Sequence, residues 1–244
     1  MMRAILTYHS LDRSGSAISV TPESFARQMH WLASQQVAVV SLDALLALPP
    51  SVPACAITFD DALQNVHDLA LPVLAARGWS ATMFVPTAYV GGVNRWNITG
   101  RHPIPPLPVM DWDALGRLVD AGWHIGAHTR THPTLPSLDD TALDDELEGS
   151  QADIVARLGL TPQWLAYPFG DLSARVVARA ARWYAGACTT ELRALAVDDP
   201  PLAVPRLDAW YLETAMRHWA WGSPAWRGYF ATRRGLRRVR AVFS

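Results

Sequence analysis

Ala56-Ile57-Thr58-Phe59-Asp60-Asp61 decides how this chain is read. Cys55 to Phe59 is a short apolar run after Pro53, with the length and composition of a buried strand. It ends in two adjacent carboxylates. In α/β folds, ligands sit at the C-terminal mouth of such strands. Neighbouring strand residues point to opposite sides, so the two carboxylates can hold different tasks. One can bind a metal while the other takes a proton. The plainer alternative has Asp61 capping the next helix and Asp60 in solvent.

A second stretch shifts the balance toward chemistry. Ile125-Gly126-Ala127-His128-Thr129-Arg130-Thr131-His132-Pro133 places two imidazoles four residues apart. Pro133 disfavours helical geometry at His132. The spacing therefore predicts a strand from Trp123 to Ala127 that ends at His128, then a loop that brings His132 back. Two His and one Asp make the three-ligand set of an open catalytic zinc site, with a fourth position for water or substrate.

Working outward, strands and helices alternate along the chain. Ala4 to Tyr8 reads as a first strand that ends at His9. Thr21-Pro22-Glu23 starts a helix with a Thr cap and Pro at its first position. Phe25, Met29 and Leu32 give that helix its buried face. Val37 to Val40 is a second strand. A helix after Asp61 runs to about Arg77, with Pro72 expected to kink or split it. Gly78, Gly122 and Gly159 are placed as helix ends.

Ala81 to Val85 is a strand. Gly91 to Pro108 is a long loop holding Trp96 and His102, and its length points to function. Asp111 to Ala121 is a helix. Leu138 to Leu158 is read as the longest helix, striped by Leu143, Leu147, Ile154 and Leu158. Gln163 to Ala166 is a strand running into Tyr167-Pro168-Phe169-Gly170. Asp171 to Tyr184 reads as a helix, and Ala185 to Thr189 and Ala203 to Leu207 as strands. Such alternation implies an α/β fold with a parallel sheet, closed or doubly wound.

The 244 residues suit one barrel-sized domain, and half are hydrophobic. Net charge is −1, which points to no nucleic acid or other polyanion as partner. Cys55 and Cys188 lie in apolar runs and read as buried free thiols. No stretch is long and apolar enough to span a bilayer. The N-terminal apolar run is too short for a signal-peptide core, so a cytoplasmic location is expected. From Trp210 onward the chain is rich in Trp and Arg. Such a tail could lie on a membrane surface or an anionic glycan. An ordinary packing helix with a solvated basic end is the plainer reading.

Thr58-Phe59-Asp60-Asp61, His128-Thr129-Arg130-Thr131-His132 and Tyr167-Pro168-Phe169-Gly170 together resemble the motifs of the polysaccharide deacetylases (carbohydrate esterase family 4, the NodB homology domain). The resemblance covers roughly residues 1–211. It implies a distorted (β/α) barrel of about seven units, one divalent metal, and hydrolysis of an N-acetyl group on an amino sugar. The expected barrel takes residues 1–210, with 211–244 a helical extension of the same domain.

By position, the resemblance makes Asp60 the general base and Asp61, His128 and His132 the metal ligands. The ion would be zinc, with cobalt or nickel as alternatives. Phe169 would offer its N–H to the oxyanion, beside Tyr167. Many relatives carry an arginine two residues before the third-motif proline, where this chain has Ala166. Arg206 is expected to fill that role; the alternative is an ordinary ion pair. The family's usual C-terminal Leu-x-His strand is missing. Ile5-Leu6-Thr7-Tyr8-His9 resembles that element moved to the front, as in a circularly permuted branch, which makes His9 the general acid. Trp210 is placed either in the acetyl pocket or in the core. One alternative keeps the site and changes the acyl group, as in deformylation or O-deacetylation of a sugar; another is a non-catalytic glycan-binding descendant, whose mark would be loss of the base or a metal ligand.

Overall fold

The computed structural model describes residues 1–96 and 104–242. His102 lies outside the described residues. The strands are β1 (Arg3–Tyr8), β2 (Ser10–Leu11), β3 (Ser19–Val20), β4 (Ala38–Val39), β5 (Ala54–Phe59), β6 (Thr82–Val85), β7 (His124–Ala127), β8 (Trp164–Ala166), β9 (Gly186–Cys188) and β10 (Leu207–Asp208). The helices are α1 (Pro22–Ser34), α2 (Leu42–Ala47), α3 (Gln64–Ala75), α4 (Trp112–Asp120), α5 (Asp140–Leu158), α6 (Ala174–Ala180), α7 (Leu212–His218) and α8 (Pro224–Val242).

The main sheet is parallel, in the order β10-β1-β5-β6-β7-β8-β9. β4 takes the N-terminal part of one β5 edge, opposite Ala54 and Cys55, and β6 takes its C-terminal part, opposite Thr58 and Phe59. The sheet curls until its ends meet. Val204 bridges Cys188 of β9, with Val204 N–H donating to Ala187 O and Thr189 N–H to Val204 O, each at 2.9 Å. Three residues on, Leu207 and Asp208 pair with Leu6 and Thr7 of β1. The fold is thus a distorted, closed-up (β/α) arrangement, and β1 is a neighbour of the last strand.

Strand alternation sorts the core. Ile5, Ala54, Ala56, Phe84, Ala166 and Cys188 form one buried cluster, which fills the inside of the curl as side chains fill a small barrel. Leu6, Cys55, Ile57 and Phe59 point the other way and join the larger layer under the helices. There Phe59 packs on Tyr8, Phe25 and Trp123, with ring centroids 5.3, 5.9 and 5.4 Å away. This packing fixes the direction in which β5 delivers its terminal carboxylates.

Several boundaries differ from the sequence reading. Asp61 caps no helix: α3 begins at Gln64 after Leu63, and Asp61 lies at φ +72°. Pro72 does not split α3, which runs through it. The helix expected over 171–184 shrinks to α6, because Ser173 caps it by accepting from Val176 N–H. The strand expected over 203–207 becomes the Val204 bridge and β10, separated by Pro205, which has no N–H for a ladder. α5 shares its 19-residue length with α8. Cys55 and Cys188 are buried and free.

Candidate active site

The mouths of β1, β5, β7, β8 and β9 converge on one cavity of about 200 Å³. Its wall includes His9, Asp60, Asp61, His128, His132 and Phe169. Asp60 and Asp61 are each 2% exposed. The strand rule would turn them apart, but both serve the same cavity, because the chain leaves strand geometry at Asp61.

Asp61, Ala62, Thr129, His132 and Phe169 all have φ between +50° and +72°. Among the described residues, Gln36 is the remaining non-glycine at positive φ. Such conformations cost energy in L-residues, severely so for β-branched Thr129. Their concentration at one cavity marks it as the place where the fold spends strain.

Asp61, His128 and His132 form a compact donor set. One ligand atom from each lies within 4.8 Å of the others. Asp61 Oδ1 stands 3.5 Å from His128 Nε2 and 3.6 Å from His132 Nε2. Ligands about 2.1 Å from a tetrahedral ion stand roughly 3.4 Å apart, so these separations fit a shared ion better than they fit hydrogen bonds. Among the described residues the buried Asp61 Oδ1 has no hydrogen-bond partner, which a cation would remedy.

His128 Nδ1–H donates to Ala166 O at 2.7 Å. That bond fixes the tautomer and frees Nε2 to ligate. Burial, with His128 alongside, pushes the His132 imidazole down to about 3, so it is neutral as a ligand must be. Burial opposes the charged form of His128 too, but the neighbouring carboxylates of Asp61 and Asp60 leave it above the ordinary value. The residues fit a divalent ion.

Asp60 belongs to a separate pairing. Both of its oxygens accept from Arg206, Oδ1 from Nη1 and Oδ2 from Nη2, each at 2.7 Å. Arg206 is itself buried, donates to Thr189 O at 3.0 Å, and lies over the Phe84 ring. Burial alone would raise the Asp60 carboxyl, but the guanidinium outweighs it and holds the group well below the usual carboxylate range. His9 reaches the same carboxylate from the end of β1, with Nε2 3.8 Å from Asp60 Oδ2. Phe169 N–H has no protein acceptor among the described residues. The Tyr167 hydroxyl is already committed to Leu202 O at 2.9 Å, so Tyr167 offers the cavity its ring rather than its O–H.

A family model described as polysaccharide deacetylase matches residues 48–185. The chain belongs to the polysaccharide deacetylase family. This family member is 29% identical over 136 residues to chitin deacetylase 2 of Cryptococcus neoformans var. neoformans serotype D, a match covering 55% of the present chain and 26% of that protein. The chain therefore spans about a quarter of that relative's length. Its fold is similar to a polysaccharide deacetylase from Bacillus cereus, with TM-score 0.72, 22% identity, and coverage of 86% of this chain and 65% of that one. It is equally similar to the Streptococcus pyogenes deacetylase PplD solved with acetate, with TM-score 0.72, 19% identity, and coverage of 85% and 92%.

In this deacetylase-family chain the sequence reading gave no role to several supports of the site. Glu146 of α5 accepts from the backbone N–H groups of Arg130 and Thr131 at 2.8 and 2.9 Å, and from the Thr131 hydroxyl, so it pins the loop between the two His. Trp96 stacks on His132 at 4.7 Å. Thr190 packs so tightly on Gly170 that a Cβ there would sit 2.1 Å from Oγ1.

Trp210 is neither in the core nor in the inner cavity. It is 54% exposed on a broader groove of about 820 Å³ that adjoins the cavity through His9, Ile18 and Phe169.

Proposed function

We propose that this protein is a metal-dependent hydrolase that removes the N-acetyl group from an amino sugar. The observation that carries the reading is the buried base held by Arg206 beside an unsaturated Asp-His-His donor set, in a cavity opening on a groove wide enough for a glycan. Asp61, His128 and His132 would hold the ion, for which zinc suits two imidazoles and a carboxylate, with cobalt or nickel as substitutes. When bound, a divalent ion supplies a Lewis acid for the acyl carbonyl and an acidified water, and a base as weak as Asp60 needs the latter.

The chain's own residues do the rest. Asp60, kept ionised by Arg206, takes the proton from the attacking water. Phe169 N–H, which has no competing acceptor among the described residues, donates to the oxyanion as the carbonyl carbon becomes tetrahedral. His9 then gives a proton to the amine nitrogen, which cannot leave as an anion. Its place at the end of β1, beside β10, supports this role and with it the permuted arrangement. Acetate release from a panel of N-acetylated amino sugars, with formate measured in parallel, tests the reading. Release of neither acid by the metal-loaded protein would overturn it, and formate alone would change the acyl group.

A further inference from the structure

α8 turns an uncharged face to solvent. Its inner side is ordinary: Trp226 and Phe230 are buried, and Trp226 stacks on Trp31 at 5.3 Å. The sequence of α8 contains Arg227, Arg233, Arg234, Arg237, Arg238 and Arg240 and no acidic residue. A surface helix normally presents its charges outward. Here Gly228, Ala231, Thr232, Gly235, Leu236 and Val239 are exposed, with Leu236 at 48% and Val239 at 55%.

Arg227, Arg233, Arg234, Arg237 and Arg238 flank that stripe. Arg234 and Arg238 reach sideways to Glu191 at 3.8 and 2.9 Å, and Arg237 to Asp208 at 3.7 Å. A helix dipole accounts for cations in the last turns, but not for an uncharged outer stripe between them.

We propose that this face of α8 seats on an anionic lipid surface. An apolar stripe bordered by guanidinium groups matches a bilayer, whose acyl boundary takes the stripe and whose headgroups take the arginines. A second copy of the helix would set the same six cations against these. The exposed Trp210 stands at the same rim. It packs edge-on to Tyr211 at 5.1 Å, and Arg233 of α8 lies over Tyr211. A half-exposed indole suits the headgroup layer.

Trp210 and Arg237 both line the outer groove that leads to the inner cavity. Seating α8 therefore brings the groove mouth to the membrane. Resting on the deacetylase reading, the substrate is then an acylated amino sugar carried on a lipid.

Flotation of the full chain with vesicles tests the docking without catalysis. The protein should rise with phosphatidylcholine vesicles that contain phosphatidylglycerol, stay down with phosphatidylcholine alone, and be released by salt. Arg227→Gln and Arg238→Gln should each lower vesicle affinity by roughly fivefold. Leu236→Asp combined with Val239→Asp should abolish flotation, while circular dichroism and acetate release from a soluble N-acetylated chito-oligosaccharide stay unchanged. No flotation of the unsubstituted chain, or undiminished flotation of the double variant, would overturn the proposal. So would dimerisation that the double variant removes with no vesicle binding, since the stripe would then belong to a second copy. Flotation with no acetate release from any sugar would sustain the docking and overturn the deacetylase reading instead.

Discussion

Arg206 grips both oxygens of Asp60 at 2.7 Å, from a point 146 residues further along the chain. The pair is buried on both sides, so removing one partner strands a charge. Arg206→Gln should lower stability by about 3–5 kcal/mol, read by denaturant melts. Asp60 has a depressed pKa in the folded protein, so its contribution is present above the unfolded carboxylate value and is lost as pH falls through the lower folded value. In Arg206→Gln burial acts unopposed and the carboxyl rises. The acid limb of kcat/KM should therefore move to higher pH, and an unmoved limb would remove Asp60 from the base role.

Asp60→Asn keeps the shape of the side chain and leaves Asp61, His128 and His132 untouched. We expect normal metal content by elemental analysis and a rate lower by roughly 10²-fold or more. Full activity in the metal-replete variant would rule out Asp60.

His9→Ala should separate amide from ester substrates. Amide cleavage needs a proton on nitrogen, whereas an ester with a good leaving group does not. A large loss on the amide with a small loss on the ester is the expected outcome; equal losses would assign His9 to positioning Asp60 across their 3.8 Å separation.

Glu146→Gln replaces two equivalent carboxylate acceptors by one acceptor and one donor. The loop through Arg130 and Thr131 then loses part of its hold, with His132 at φ +58° the residue most dependent on it. We expect metal affinity to weaken by about 10–100-fold, measured by chelator competition, with Asp60 chemistry recovered at saturating metal.

Metal affinity should also depend on pH, with a sign set by His128. Asp61 holds this imidazole above its ordinary value, so a proton competes with the ion. Affinity should fall as pH drops through that raised value and level off above it. His132, pushed down to about 3, should add no slope there.

The sequence exposed the parts of this site that are contiguous. Thr58-Phe59-Asp60-Asp61 and His128 to His132 each combine a strand end with chemistry, and the structure brings them together. Arg206 had a role only through the resemblance, because nothing in Val204-Pro205-Arg206 says which carboxylate it meets. Glu146 was hidden among Asp144, Asp145 and Glu148, where acids early in a helix already have a dipole explanation. The parallel α/β class was legible from alternation, whereas the choice of a barrel over a doubly wound sheet came only through the resemblance. What alternation could not give was the shortness of β10, set by Pro205, or the start of α6, where Asp171 and Ser173 both offer capping oxygens. Trp210 was left between pocket and core because an aromatic residue near a strand reads as either, whereas its exposure depends on the groove beside it.

The joint at Val204 has a consequence for how the protein is made. His9, Asp60, Asp61, His128 and His132 are all synthesised before it. Until Val204 to Asp208 is laid between β9 and β1, however, Asp60 has no counter-ion and the curl is open. A nascent chain stalled short of this joint would hold an unpaired carboxylate that resists burial. Translation thus sets the order of events. The pocket is completed by β10, the last of the described strands, and hydrolytic competence should appear together with closure of the sheet.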